Sequence, residues 1–474
     1  MRLAFIPSAY RTPFALELSH RLERAGHEVF WICPNRRWTR WLVDRGVPSA
    51  KILDITQYAD EWTGANADSS AARAELHQIE RKSRWRIYDL ISSDALLVRR
   101  DTDYAIRYLA ACARHIRQFI LSNGLKMLSG ELTWAFEQIA GQVCIDLNIP
   151  FTRPVDIRIP NDRTAFFTSR YETDIVELRA VTDADVTAAR EFLTTYRSRP
   201  RKPGYANINF SSLQANSGRL KLLAQHVLDL VGDPFDETSR RPPDLIWNQS
   251  EQALRAFVSA KFGPFEMPDP EPKRPFVFMA LHLQPEVTID VMASPFCNQI
   301  ENAQAIARTL PITHDLYVKE HMVALARRAP GAYSELLRIP GVRLIDPRAN
   351  TFALIQKADL VVTATGTVAY EASLLRRPAV TMGPTVFSPI VVSDHFNPYT
   401  DSVGDLLERL AVDQPRSDDE IVDFLAWLLA QTFAGVVGDS LWLPYTMEPD
   451  YIDAVAEGFF LLFRTYETPS TAGL

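Results

Sequence analysis

The stretch "ADLVVTATGTVAYEASLLRRPAVTMG", residues 358–383, decides the fold class. Leu360 to Ala364 is a near-continuous apolar run, as expected of a strand covered on both faces. Thr365-Gly366-Thr367 opens a helix expected over 367–377, and "AVTM" returns to strand. Working outward, "PFVFMAL", "DLYVK" and "VRLI" are similar short apolar runs, with helical segments expected over 298–310, 322–338 and 350–358. Strands alternating with helices imply a parallel sheet joined by right-handed crossovers.

The beginning of the chain reads the same way. Leu3 to Ile6 is a short strand, and Thr12-Pro13 is a good helix entry. Phe14, Leu18, Leu22 and Ala25 recur at helical spacing, Gly26 ends the helix, and "EVFWIC" is a second strand. This βαβ start lacks the GxGxxG fingerprint, which argues against a nicotinamide cofactor. Residues 73–123 read as mostly helical, with Ile106, Leu109, Ala113, Ile116 and Ile120 on one face. "KMLSGELTW" returns to strand, a helix follows from about Thr133 to Leu147, and a short strand lies near Pro150.

These patterns divide the chain into an α/β domain over 1–262 with a helical, charge-rich insertion at about 172–262, and a second α/β domain over 276–440. The proline-rich "GPFEMPDPEPKRP" (263–275) links them, and residues 441–474 form a helical tail expected to pack back across the first domain. Two such domains place a cleft between their sheets. At 474 residues the length suits two cores. Lys plus Arg total 51 against 58 Asp plus Glu, a net charge of −7 that argues against a dedicated nucleic-acid binder. Cys33, Cys112, Cys144 and Cys297 are scattered and read as small buried hydrophobes in a reducing compartment. The N-terminal apolar run is too short for a signal peptide, and no segment reaches the roughly 18 apolar residues of a membrane span. A cytoplasmic location is expected.

In open parallel sheets ligands bind beyond the carboxyl ends of the strands. Polar groups collect there in the second domain. His282, Gln284 and Glu286 follow one strand, at a period-2 spacing that would face one side if the chain stays extended. Lys319, Glu320 and His321 follow another. Thr365, Gly366 and Thr367 follow a third, where backbone N–H groups and a helix dipole suit a phosphate. Simple capping by Thr367, with Glu371 favoured by the dipole, explains the last corner equally well. Glu371 would otherwise hold ribose hydroxyls. His321 can hydrogen-bond a phosphate or assist a leaving group, or cap a strand end. Lys319 can neutralise phosphate or be solvated. In the first domain Glu131, read as the start of a helix in "LSGELTW", can act as general base or nucleophile, or be an acid favoured in a first turn. The Arg/Trp cluster of residues 35–46 could touch anionic lipid or an acidic acceptor, and a solvated helix is the simpler reading.

In their order, "LHLQPEVT", "LYVKEHM" and "LIDPRANTFALIQKADLVVTATGTVAYEASLLRRPAVTMG" resemble the bacterial capsule polysaccharide biosynthesis family, which includes Kdo transferases. The resemblance spans residues 275–385 and extends loosely to "GELTWAFEQIA" and "RIPNDRTAFF". It implies a GT-B-like glycosyltransferase: two Rossmann-like domains across a cleft, the second holding a nucleotide-sugar donor, with a polysaccharide or glycolipid acceptor. It implies further that His321 contacts the phosphate of a CMP-linked donor, that Thr365-Gly366-Thr367 is the phosphate-side loop with Glu371 downstream, and that Glu131 is the first-domain carboxylate. His282, Gln284, Glu286 and Lys319 complete the donor side. Met322 stands where the family has proline. No metal cluster is visible, so basic residues and a helix dipole are expected to replace a cation. Peripheral contact with the inner membrane or an assembly complex fits such an acceptor. A non-hydrolysing UDP-sugar 2-epimerase shares the fold and the "TGT" segment, and a non-catalytic assembly or export factor is the third reading.

Overall fold

In the computed structural model, described over residues 1–8, 11–64, 68–83, 85–201, 233, 235–239, 255, 259, 263–412, 416–438, 440 and 443–467, the chain builds two α/β units, each on its own sheet. The first sheet contains β1 (Arg2–Phe5), β2 (Glu28–Cys33), β3 (Ile52–Asp54), β4 (Met127–Ser129), β5 (Phe151–Asp156) and β6 (Arg163–Phe167). The second contains β7 (Phe276–Ala280), β8 (Asp315–Lys319), β9 (Val342–Ile345), β10 (Leu360–Thr363) and β11 (Ala379–Thr381). A last two-residue strand, β12 (Phe433–Ala434), joins the first sheet.

The second sheet is parallel throughout, in the order β11-β10-β7-β8-β9. Its strands are the five short apolar runs read from the sequence, and β10 is buried along its whole length. The first sheet runs β12-β6-β5-β4-β1-β2-β3; its inner pairs are parallel and β6 runs antiparallel to both neighbours. Both orders contain a point where the winding reverses, between β1 and β4 in one sheet and between β7 and β10 in the other. In open α/β sheets, the carboxyl edge at such a switch point is the usual place for a ligand site.

The elements flanking the first sheet follow the sequence pattern. The helix Thr102–Asn123 buries Ile106, Leu109, Ala113, Ile116 and Ile120, and Gly124 ends it at φ 60°. The "GFFLLF" run lies on the helix Pro449–Glu467, where Phe459, Leu462 and Phe463 pack with Leu3, Phe5, Phe14 and Phe166. No helix among the described residues is long and apolar enough to cross a membrane.

Two segments depart from a simple division at the linker. Within the charge-rich middle, the helix Asp183–Ser198 packs on the second unit, and Arg197 Nε donates to the Leu374 carbonyl (2.8 Å). Most of residues 202–262, where further helix was expected, lies outside the described residues. The proline-rich stretch is not a bare spacer. Glu266 donates its N–H to Leu344 O (3.0 Å) and accepts from Asp346 N–H (2.9 Å), which covers the outer edge of β9. The two units also share apolar contacts: Ile157, Ile159, Ala165 and Phe167 of the first belong to the same core cluster as Phe276, Tyr317 and Tyr370 of the second.

Candidate functional site

At the switch point of the second sheet, the loops after β7 and β10 close on His282. Thr365 N–H donates to its Nε2 (3.3 Å), and the Thr363 hydroxyl lies 3.0 Å from the same nitrogen. An acceptor Nε2 puts the ring proton on Nδ1, which faces Thr288 Oγ1 at 3.4 Å. Burial, aided by the charges of Arg328, His321 and Arg158, pushes the imidazole down to a pKa of about 3, so it is neutral at physiological pH. Thr365 Oγ1 donates to Thr288 O (2.6 Å), which pins the same corner from the other side. A side chain at Gly366 would force this corner to shift, because a Cβ would stand 2.6 Å from Thr363 Oγ1 and 3.3 Å from His282 Nε2. The helix Thr367–Leu374 begins directly after it, with Gly366 as its cap and no side-chain capping bond. Thr367 is thus the first helical residue and not the expected cap. Beside this corner, Thr381 and Thr385 bury hydroxyls that have no hydrogen-bond partner.

His282, Gln284 and Glu286 do not face one side as the period-2 reading expected. The chain leaves β7 and turns into the short helix Val287–Asp290. Gln284 Nε2 donates to Asp290 Oδ1 (2.8 Å) and to Cys297 O (3.0 Å). Gln299 clamps both backbone groups of His282, accepting its N–H at 2.6 Å and donating to its carbonyl at 3.2 Å. Glu286 is exposed, with Thr288 and Arg158 as neighbours. Glu371 lies one turn into its helix, is 5% exposed, and lies near Tyr196 of the helix Asp183–Ser198. It is therefore buried against another helix and does not sit in the first turn where a dipole would favour it.

The three ionisable groups ending β8 have three fates. Lys319 is half-buried and its charge reaches Asp346 beyond β9. His321 is exposed. Glu320 is internal: its carboxylate accepts from Arg328 Nε (2.6 Å) and Nη2 (2.9 Å), from the Tyr333 hydroxyl (3.2 Å) and from the backbone N–H of His321 (2.6 Å). Arg328 also donates to His282 O at 2.5 Å, so the pair braces the loop after β7 from behind. A cavity of about 190 Å³ lies between these groups and the helix Gln299–Arg308, lined by Leu281, Gln284, Cys297, Ile300, Arg328 and Leu336 among others. Cys33, Cys112 and Cys144 are buried thiols as expected, whereas Cys297 is exposed.

The first sheet's switch point holds Glu131. It lies in the loop after β4, ahead of the helix Ala135–Leu147, and the helix's first-turn acid is Glu137 instead. Glu137 accepts from Thr133 N–H (2.7 Å) and Trp134 N–H (3.1 Å), and burial followed by the charge of Glu131 pushes it up to about 8. Glu131 is ion-paired with Arg11 of the loop after β1 and accepts from the Thr133 hydroxyl (3.2 Å). Arg153 on β5 is fully buried, donates to Ser169 O (3.0 Å) and Arg170 O (3.2 Å), and lies in the fields of Glu172, Glu131 and Glu137. Arg158, just past β5, stands 4.0 Å from Glu172 and acts on His282 and Glu286 across the gap. Glu131, Arg153, Glu172, Arg158 and Glu286 thus form a run of alternating charge from one switch point toward the other. Arg11, Arg153, Arg158, Glu172, Gln299 and Arg328 escaped the sequence reading, because none sits in a local pattern that separates it from a surface residue. Among the described residues no group of three or more His, Cys, Asp and Glu is placed to hold a metal ion.

No family model and no curated protein sequence matches the chain. Among solved structures, it is similar to the β-Kdo 2,7 transferase of KpsC from Thermosulfurimonas dismutans, with 12% identity, a TM-score of 0.35, and coverage of 74% of this chain and 89% of that one. It is similar to UDP-GlcNAc 2-epimerase from Neisseria meningitidis at 12% identity and TM-score 0.28, covering 97% and 100% of the two chains. A third likeness is to MurG from Acinetobacter baumannii, at 10% identity and TM-score 0.25, covering 96% and 98%.

Proposed function

We propose that the chain is a glycosyltransferase that moves a sugar from a nucleotide-activated donor to a surface polysaccharide or glycolipid acceptor. The observation that supports this reading is the pairing of two switch points: the N-terminus of the helix Thr367–Leu374 at one and the Glu131 carboxylate at the other, joined by a run of charges. In this reading the donor's phosphate sits at Thr365-Gly366-Thr367, where the helix end supplies partial positive charge. Lys319 and His321 stabilise the departing phosphate, Gln284 and Glu286 border the donor, and Glu371 meets the ribose after a side-chain rearrangement. His282 acts one layer behind, as the neutral post that shapes the corner. Glu131 activates the acceptor hydroxyl or attacks the anomeric carbon, with Arg11 orienting its carboxylate. A CMP-linked, Kdo-like donor and capsule synthesis at the cytoplasmic face of the inner membrane complete the proposal, with basic groups and the helix dipole in place of a metal. Met322, which is 48% exposed, opens the turn where the family that the sequence resembles carries proline.

A thermal-shift panel of CMP, UDP, GDP and their sugars tests the reading. A ligand at one hundred times its dissociation constant stabilises the native state by about 2.7 kcal/mol, which raises the melting point measurably. Stabilisation by one nucleotide series is expected, with His321→Ala and Glu131→Ala each lowering turnover by about a hundredfold or more. Silence across the panel, or intact turnover in both variants, sinks the proposal. Conversion of a UDP-sugar without any acceptor would replace it with epimerase chemistry.

A further inference from the structure

Residues 130–134 carry Glu131 from β4 into the helix Ala135–Leu147, and both ends of that turn are fastened. At one end Gly130 N–H donates to Thr152 O on β5 (3.2 Å), and a Cβ on Gly130 would stand 3.1 Å from Ile6 Cβ. Leu132, 1% exposed, packs inward between the ends. At the other end one oxygen of Glu137, Oε2, accepts both Thr133 N–H (2.7 Å) and Trp134 N–H (3.1 Å). A capping box on Trp134 needs only the second of these bonds. The first N–H of the helix itself is served by Asp94 Oδ2, which accepts from Ala135 (2.8 Å). The bond to Thr133 lies ahead of the helix, and it fixes the residue whose hydroxyl donates to Glu131 Oε2 (3.2 Å). Arg11 meets the other oxygen, Oε1, and the Ser8 hydroxyl stands 3.5 Å from Oε2, the far limit of a hydrogen bond. Without Thr133 the Glu131 carboxylate would be free to swing about its ion pair.

We propose that Glu137 is the positioning residue of Glu131: it holds Thr133, and Thr133 holds the carboxylate in the orientation that meets the acceptor hydroxyl. This rests on the role given to Glu131 above. A reacting group displaced by about 1 Å can cost about a hundredfold in rate, so the support behind it counts as much as its chemistry. Glu137 suits the task because it is 2% exposed and takes its hydrogen bonds from backbone N–H groups, which do not move away as a side chain can. Burial, then the charge of Glu131, pushes its pKa up to about 8. At neutral pH it therefore stands beside Glu131 as an uncharged acid that does not repel its neighbour.

The test combines carboxyl labelling with turnover in wild type, Glu137→Ala, Glu137→Gln, Thr133→Val and the Glu137→Ala/Thr133→Val double variant, all below the onset of melting. Labelling uses a carbodiimide with glycine ethyl ester and reads modification of Glu131 by mass spectrometry, so it needs no substrate. Glu131 is expected to label severalfold faster in Glu137→Ala and in Thr133→Val. Glu137→Gln should restore most of the protection, because its amide oxygen accepts the same two N–H groups. Turnover uses the nucleotide sugar that stabilises the wild type in the panel above. Glu137→Ala is expected to lower kcat about tenfold to a hundredfold with donor KM unchanged, since the donor lies against the other unit. The double variant should lose no more kcat than the worse single one, because both changes cut the same chain of contacts. Additive losses overturn the proposal, as does unchanged kcat in Glu137→Ala where Glu131→Ala is inactive. Unchanged labelling in Thr133→Val, which leaves the helix end intact, overturns it even where Glu137→Ala fails to fold. If labelling changes as expected while no nucleotide stabilises the wild type, Glu137 still positions Glu131 and the glycosyl-transfer reading falls.

Discussion

His282 shows how one side chain can matter to a site without touching the reacting atoms. Its ring closes the loops after β7 and β10, and its folded pKa of about 3 lies below the ordinary 6.5. Between those values the unfolded chain binds a proton that the folded chain refuses. The stability tied to neutral His282 is therefore complete above pH 6.5 and is lost as pH falls toward 3, by up to about 1.4 kcal/mol per pH unit. Urea denaturation of wild type and His282→Gln at pH 7.5 and 5.5 checks this. The glutamine variant is expected to lose less stability on acidification, and identical slopes would rule the account out. The sequence marked His282 as a site residue but placed it with Gln284 and Glu286 on one face. That reading needed an extended chain, and no residue pattern announced that Thr363 and Thr365, some eighty positions away, would claim the ring. Glu131 was legible as a carboxylate beyond a strand, yet its neighbour Glu137 took the helix-end role assigned to it.

At the scale of the element, the end of β8 was ambiguous because three adjacent ionisable groups carry no label for inside and outside. Period-2 alternation sends Lys319 and Glu320 to opposite faces, and only packing decides which face is dry. Glu320 goes inward, where its carboxylate has no exposed surface and Arg328 is its counter-charge. Removing one partner of a buried pair strands the other, at a cost of about 3–5 kcal/mol, whereas replacing both with apolar residues is often close to neutral. Glu320→Gln is therefore expected to destabilise strongly, and Glu320→Leu with Arg328→Met to recover much of the loss in a double-mutant cycle. Additive losses in chemical denaturation would show that the two do not act as a pair. Other elements of this unit were legible where local pattern governs. All five apolar runs became strands, because a strand buried on both faces cannot hide its composition. The helix expected over 322–338 instead breaks into a turn at Met322–Ala326 and a helix at Ala332–Leu337. Pro330 and Gly331 account for the break: proline cannot continue a helix, and Gly331 sits at φ 86°.

For the whole molecule, the order of segments along the chain does not match their order in space. The chain leaves the first unit at the helix Asp183–Ser198, returns with Glu237 bonded to Arg100 (2.9 and 2.8 Å), builds the second sheet, and comes back through β12 and the helix Pro449–Glu467. The expected return of the last helix followed from its apolar run, which needs a core. The other crossings depend on contacts between segments far apart in sequence, which leave no local periodicity. Their consequence is thermodynamic. One apolar cluster draws residues from both units, and Arg170, 1% exposed, pairs with Asp89 of the first while donating to Val291 O (2.9 Å) of the second. Opening the joint would wet that cluster and strip a buried guanidinium of its partners, so neither unit has a cheap route to unfold alone. Scanning calorimetry of the full chain without ligand is expected to show one transition with equal calorimetric and van't Hoff enthalpies, and two resolved peaks would contradict it. Arg170→Met should lower that single transition, because Val291 O loses its donor. If it instead splits the peak in two, the buried arginine is the main coupling between the units, and the shared apolar cluster is too weak to hold them as one cooperative body.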